Sequence, residues 1–285
     1  MKIMRYVYGL LLSLPFVVSC SETEGMLETN DVPYWKRDLV IEATREGNES
    51  DTRTTLQEDG SVLWNPADEI SLFFMRGENG GYKFTSQNTE LAEVAEFSGS
   101  ISGITGGGEN LTDDAYFWAI YPYSKENACE NNSLIARLPN QQPSVAGTVA
   151  DDLILTIARS MNVKMGFKNV CGGLELRVSQ SGIKSISIRG NSDEDLAGKV
   201  RIEFNESNIP VVTEVIDGQK EITLLAPNGG EFEVGKLYYL VAFPKALEGG
   251  FTMTFRKTDG TCGVYSRTKA AAFNRSRFSR AYDLD

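Results

Sequence analysis

Short apolar segments alternate with clusters of glycine, asparagine and aspartate along most of the chain from Arg37 onward. In several segments an apolar residue stands at every second position, which is the period of a strand with one buried face. The clearest examples are residues 174–178, 183–188, 199–204, 221–225 and 251–255, and shorter apolar runs occupy residues 39–41, 69–75, 115–121 and 133–138. Since no segment keeps a helical period, we expect an all-β protein built from antiparallel sheets.

A segment with few apolar residues interrupts these strands. Residues 139–147 contain two prolines, several amides and a glycine, a composition typical of a linker. Roughly 250 folded residues also exceed what one small sandwich contains. We therefore expect a tether at residues 20–36, an N-terminal β-domain at 37–146 and a C-terminal β-domain at 147–285.

The first twenty residues follow a different pattern. Lys2 and Arg5 precede an apolar run at residues 6–18, and Val17-Val18-Ser19-Cys20 follows. A charged start, a short apolar segment and a small residue at the cut site are typical of a secretory signal peptide. An aliphatic pair, a small residue and a cysteine also resemble the lipobox of bacterial lipoproteins, in which the cysteine thiol is acylated.

We therefore expect a signal peptide at residues 1–19 and fatty acid, such as palmitate, on Cys20. Two or three acyl chains suffice for stable attachment to the outer membrane, so lipid alone would hold the mature protein there. No apolar run after Ser21 approaches the roughly 20 residues of a spanning helix. An ordinary signal peptide with an incidental cysteine is the alternative.

Composition narrows the chemistry. The formal net charge is −11 and becomes −13 once Lys2 and Arg5 are removed with the signal peptide, which argues against a nucleic-acid partner. Histidine is absent, which excludes the Ser-His-Asp and Cys-His mechanisms and removes the commonest transition-metal ligand. Cys129, Cys171 and Cys262 have no CxxC spacing. We expect them to be packing residues, and we predict no enzyme activity, catalytic residue, metal site or cofactor.

Several residues have side chains that predict a place in the core, at a turn or after a strand end. Trp64 and Trp118 bring large apolar area to a core. Asp68 is placed to accept backbone hydrogen bonds at a turn before the strand at 69–75. Pro122 and Pro244 should follow strand ends, because proline cannot donate to a strand ladder.

Short sequence motifs also occur in a recognisable order. The chain carries Thr52-Arg53-Thr54, then LWNPADEISLF at 63–73, YFWAIYPYS at 116–124, MGFKNV at 165–170, YYLVAFP at 238–244, GGFT at 249–252 and RSR at 275–277. Together they resemble the fimbrillin-like family of surface lipoproteins and pilins from Gram-negative anaerobes. The resemblance extends over about residues 39–285.

The resemblance implies two transthyretin-like antiparallel β-sandwich domains in tandem and a role in fimbrial assembly or adhesion. In the family's pilins an arginine-specific protease removes the first strand, and a strand from another pilus subunit fills the opened groove. The candidates for cleavage here are the bond after Arg45, which directly follows the segment 38–44, and the bond after Arg53, and we favour Arg45. The assembled chain would then begin at Glu46 or Thr54 and would have lost its lipid.

The expected position in a pilus follows from a departure from the family pattern. Shaft subunits of the family carry an extended C-terminal donor segment, whereas this sequence stops at its last predicted strand, residues 277–285. We therefore expect an accessory, tip or anchor component at the cell surface or in the fimbrium, with other pilus subunits as partners. The alternative is a free-standing surface lipoprotein that binds glycans or matrix proteins of a host.

Overall fold

A computed structural model describes residues 34–46, 63–74, 81–104 and 117–282. Strands and turns make up these residues, and the helical segments among them are short 3₁₀ turns at Asp151–Leu153 and Pro227–Gly229. The predicted all-β class is confirmed. Within this part of the chain, no helix has the length and apolar character to cross a membrane. The predicted signal peptide, Cys20 and Arg53 lie outside the described residues.

The strands follow the chain in this order: β1 (Tyr34–Arg45), β2 (Glu69–Phe74), β3 (Tyr82–Ser86), β4 (Val94–Ile104), β5 (Phe117–Tyr121), β6 (Ala128–Glu130), β7 (Ser133–Leu138), β8 (Gln141–Gln142), β9 (Thr156–Ser160), β10 (Lys164–Asn169), β11 (Gly172–Arg177), β12 (Ile183–Gly190), β13 (Ala197–Phe204), β14 (Pro210–Gln219), β15 (Glu221–Leu225), β16 (Leu237–Ala242), β17 (Lys245–Leu247), β18 (Phe251–Lys257), β19 (Cys262–Arg267), β20 (Ala271–Phe273) and β21 (Phe278–Tyr282). The alternating segments predicted from sequence lie in strands, except that Val178 follows the end of β11.

The N-terminal strands form a closed barrel with the order β1-β10-β9-β5-β2-β3-β4, in which β4 pairs again with β1. The remaining strands form a five-stranded sheet (β19-β18-β12-β15-β8), a four-stranded sheet (β14-β13-β7-β6), a three-stranded sheet (β16-β11-β21) and the pair β17-β20. The first sheet thus closes on itself, which differs from the two tandem transthyretin-like sandwich domains that the resemblance implies.

Strand pairing crosses the boundary predicted near residue 146 in both directions. β9 and β10 follow that residue but complete the barrel with β5 and β1. Conversely, β7 and β8 precede it but pair with β13 and β15. The pairing therefore shows no break at residue 146.

The predicted linker is also partly buried. Gln142 is fully buried, and its side-chain amide accepts a hydrogen bond from the Val241 N–H (2.9 Å) and donates one to the Val241 carbonyl (2.7 Å). The side chain thus substitutes for a neighbouring strand, which the amide-rich composition did not predict.

The barrel core is aromatic. Trp64 is completely buried, and its ring meets those of Phe97, Phe167 and Tyr121 edge to face at centroid distances of 4.9, 5.2 and 5.4 Å. Such pairs add about 0.5–1.5 kcal/mol each beyond the area they bury. Trp118 is buried as well, so the predicted core role of both tryptophans is confirmed. Trp64 lies just before β2 and ties that segment to the opposite side of the barrel.

Replacing Gln142 by leucine should lower the free energy of unfolding by about 2 kcal/mol or more, because the buried N–H and carbonyl of Val241 would both lose a partner. Urea unfolding measures this loss. The control is leucine at the exposed neighbour Gln141, for which the change should stay within about 0.5 kcal/mol. Equal effects of the two substitutions would contradict the assigned role of the buried amide.

Candidate functional site

β1 closes the barrel. It pairs antiparallel with β4 along residues 34–44 and parallel with β10 along residues 42–45. Two further backbone bonds hold the side facing β10, from the Glu42 N–H to the Val163 carbonyl (2.8 Å) and from the Glu46 N–H to the Phe167 carbonyl (2.7 Å). A single strand, the first described in the chain, therefore joins β4 to β10.

The side chains of β1 divide between two faces. Ile41 and Ala43 are completely buried, and Leu39 packs against the same core. Even-numbered residues from 38 to 44 are exposed or half-buried on the outside. The two-residue period then places the next inward position at Arg45, so the apolar row ends in a charged side chain.

Arg45 is enclosed on three sides by what we call the arginine cage, formed by Trp64, Asp68 and Tyr121. Its guanidinium carbon lies 3.8 Å from the centre of the Trp64 ring and 4.3 Å from that of Tyr121. Its Nη2 donates to Asp68 Oδ2 at 3.2 Å, and the side chain is only 3% exposed. Nε and Nη1 have no hydrogen-bond partner among the described residues, so contact with the aromatic faces supplies much of the attraction.

The polar groups of the cage are held by residues outside β1. Asp68 accepts hydrogen bonds from the Asn65 N–H (2.8 Å) and from the Tyr121 hydroxyl (3.1 Å), which confirms its predicted role at the turn. Burial raises the pKa of Asp68, and the Asn65 N–H and Arg45 offset this only in part. Burial also raises the pKa of the Tyr121 phenol, which therefore remains a donor.

Trp64 contacts the strand as well as the guanidinium. Its Nε1 donates to the Ala43 carbonyl at 3.1 Å, while its backbone N–H and carbonyl pair with Ala92. The indole therefore recognises the backbone of β1 at one position and the side chain two residues later.

Glu46, directly after the cage residue, joins β1 to the C-terminal part of the chain. Its carboxylate accepts hydrogen bonds from both terminal nitrogens of Arg275, one of them at 3.0 Å. It also accepts hydrogen bonds from the Asn169 N–H (3.0 Å) and from the Ser276 hydroxyl (3.3 Å). Burial raises the pKa of Glu46, but the bonds from Arg275 and Asn169 more than offset this and hold the pKa below its usual range. The Arg275-Ser276-Arg277 motif thus closes on the end of the first strand.

The residues singled out from the sequence differ in how deeply the structure buries them. The Arg45 side chain is buried at the end of β1. Among the cysteines, Cys129 and Cys171 are buried packing residues, and burial raises the pKa of each thiol. Cys262 is exposed on β19, so the packing prediction is wrong for this residue.

Sequence reasoning did not identify Glu46, Tyr121 and Arg275 as members of one region. The sequence of β1 did contain a signal for this region, because Arg45, a charged residue, stands at an inward position of an alternating strand. Tyr121 and Arg275 lay inside motifs noted for their order along the chain, but their contacts with β1 depend on the folded arrangement.

A second concave region lies in the C-terminal part of the chain. It is an open cleft of about 700 Å³ lined mainly by residues 143–146, 184–185 and 225–229, with Lys184 and Glu233 as charged members. Elsewhere, in the portion of the chain that the structure covers, no group of three or more histidine, cysteine or acidic residues could hold a metal ion.

Some solved structures resemble this fold. Candidate cell adhesion proteins from Bacteroides uniformis and Bacteroides ovatus match with TM-scores of 0.45 each, at 17% and 11% identity. They cover 82% and 84% of this chain, and the matches span 88% and 89% of those chains. The tip fimbrial protein Mfa3 from Porphyromonas gingivalis, solved with a C-terminal truncation, matches at 7% identity with a TM-score of 0.35 over 81% of each chain. No family model and no curated protein matches this sequence.

Because the Arg45 side chain is buried, an arginine-specific protease should not cut the native full-length chain between Arg45 and Glu46. Its specificity pocket must receive the arginine side chain, which requires β1 to open first. Substituting Asp68→Asn removes the anion and should speed this cut about tenfold or more, since a hydrogen bond to a charged group contributes about 1.5–3 kcal/mol. Mass spectrometry of the released fragments measures the rate.

The matched control for this experiment is Asp38→Asn, which changes an exposed carboxylate near the other end of β1. Its cutting rate should equal that of the unchanged chain. If native chains were cut after Arg45 as fast as chains unfolded in urea, the protective role of the cage would be refuted.

Acid should weaken the link between Glu46 and Arg275. The folded pKa of Glu46 lies below the ordinary value of 4.5, so the stabilisation is present above pH 4.5 and is lost as the pH falls through the folded pKa. Glu46→Gln should therefore cost about 1–3 kcal/mol of unfolding free energy at pH 7, and this difference from the unchanged chain should shrink in acid. Urea unfolding as a function of pH tests this.

Glu42→Gln is the control for the acid experiment, because Glu42 lies on β1 and forms an exposed ion pair with Lys164 of the neighbouring strand β10. It should cost about 0.5 kcal/mol or less at any pH. A Glu46→Gln penalty that stayed constant down to pH 3 would argue against the ionised carboxylate as the source of the link.

Proposed function

We propose that this chain is a lipid-anchored surface lipoprotein of the outer membrane that acts as an accessory, tip or anchor component of a pilus. It assembles by exchanging β1 for a strand of another subunit and takes part in adhesion. The order of fimbrillin-like motifs along the sequence supports the assignment, together with the lipobox at Cys20.

The observation that carries the proposal is the position of β1. Removing it would leave facing edges of β4 and β10 with unpaired backbone groups and would uncover the core beneath Ile41 and Ala43. Unpaired strand edges bind any strand offered in register, and main-chain hydrogen bonds supply affinity in such complexes. The groove left by β1 would therefore suit one extended segment.

Burial of Arg45 makes the bond after Arg53 the better candidate for cleavage. A cut after Arg45 needs the cage to open beforehand, whereas the strand could stay folded while a bond beyond Glu46 is hydrolysed. Cutting after Arg53 would separate β1 and the lipid on Cys20 from the rest of the chain. The released chain would begin at Thr54.

The test uses surface material from cells that make the full chain together with its pilus partners. We expect multimers that resist SDS, with subunits that begin at Thr54. Arg53→Gln should abolish both the new N-terminus and the multimers, while Arg37→Gln, within β1, should leave them unchanged. Arg53→Gln chains should keep their N-terminus and label with fatty acid, and this labelling should disappear when Cys20→Ala is added.

If surface chains remained monomeric and still began at acylated Cys20, the pilus role would be refuted. That outcome would favour a free-standing lipoprotein that binds glycans or host proteins. Persistence of fatty acid labelling after Cys20→Ala would refute the anchor itself.

A further inference from the structure

The three residues of the arginine cage all lie outside β1 and remain when β1 leaves. Trp64 is held by its backbone pairing with Ala92 and by edge contacts with Phe97 and Phe167. Tyr121 ends β5, which pairs with β2 and β9. Apart from the bond from Trp64 Nε1 to the Ala43 carbonyl, the contacts described here that hold these two walls therefore lie outside β1.

We propose that the emptied cage is a selectivity pocket for an arginine side chain on the strand that replaces β1. The inference rests on the strand exchange proposed above and adds the chemistry of the incoming strand. It commits to one occupant, an extended segment of another polypeptide with a guanidinium at the position of Arg45.

Charge and shape both favour this occupant. The Asp68 side chain is 8% exposed with β1 in place, so a strand that refills the groove and encloses it again should bring a cation, because an uncompensated buried charge is costly. The faces of Trp64 and Tyr121 attract a cation placed over them. An apolar side chain would leave the carboxylate unpaired, and an acidic side chain would be repelled by it.

Arginine should be preferred to lysine. The guanidinium is planar and weakly hydrated, so it stacks on aromatic rings and also donates to a carboxylate, as Arg45 does here. A lysine ammonium is compact and strongly hydrated, so desolvation between two rings costs it more. The cage thus distinguishes the two basic residues.

The register of β1 extends the requirement to neighbouring positions. The inward side chains before Arg45 are Ala43 and Ile41, both completely buried. An incoming strand that runs in the same direction should therefore carry a large apolar residue, then a small residue two positions later, then arginine two positions after that. Trp64 Nε1 would donate to the carbonyl of the small residue, as it does to that of Ala43.

The test uses the full chain with a recognition sequence for a specific protease inserted between residues 47 and 62 and cut after folding, so that β1 stays bound without a covalent link. Labelled peptides of residues 34–46 then compete with the resident strand. Fluorescence anisotropy compares the native peptide with its Arg45→Lys, Arg45→Met and Arg45→Glu forms.

We expect the native peptide to bind best, the lysine form several-fold less well and the methionine form at least about tenfold less well, since a hydrogen bond to a charged group is lost. The glutamate form should bind worst. A Val40→Thr peptide changes an exposed position on the outer face and should match the native peptide. In a receiving chain with Asp68→Asn, the preference for arginine over methionine should shrink several-fold, while the faces of Trp64 and Tyr121 keep part of it.

The outcomes separate the two proposals. Equal binding of all four peptides would overturn the selectivity pocket and leave strand exchange standing. Failure of every peptide, the native one included, to displace β1 would overturn the strand exchange on which the pocket depends.

Discussion

The burial of one guanidinium governs how this barrel is closed. Arg45 ends an apolar row and would be destabilising there if it lay against hydrocarbon alone, because a buried charge needs a partner. Trp64, Tyr121 and Asp68 provide two aromatic faces and an anion within 4.3 Å of it. The same three residues connect the segment before β2 to the end of β5, so the cage fixes both the register of β1 and the turn that precedes β2.

β1 pairs with β4 along nearly its whole length, but its other contacts are concentrated at its C-terminal end. Its pairing with β10 is confined to residues 42–45, the cage holds Arg45, and Glu46 binds Arg275. Lys36 and Asp38, near the other end, are exposed. A replacement strand would therefore meet least resistance at the N-terminal end of β1 and would displace the cage contact last. The bond to Arg275 makes this final step depend on the C-terminal part of the chain as well.

The sequence predicted the elements of this structure better than their arrangement. Alternation located strands such as β12, β13 and β18, because a half-buried strand has a two-residue period. Pairing partners depend on contacts between distant residues, so the assignment of β9 and β10 to the barrel could not be read from local pattern. The amides at residues 141–142 resembled a linker because composition does not reveal that Gln142 pairs with the backbone of Val241.

In the candidate site, too, the roles of single residues could be predicted from the sequence, but the contacts between them could not. Asp68 was predicted as a hydrogen-bond acceptor from its turn sequence, and Trp64 as a core residue from its size. The enclosure of Arg45 by both residues required the fold, because the alternation of β1 indicates an inward position without showing what lies opposite. Glu46 and Arg275 are separated by most of the described chain, so their ion pair is a purely tertiary feature.

A high-resolution structure of the assembled surface material tests the central claim most directly. The account predicts density for a strand of another subunit between β4 and β10, with a guanidinium between Trp64 and Tyr121 and with the chain's own β1 gone. Assembled subunits that retain their own β1 in that position, with Arg45 still bound to Asp68, would contradict it.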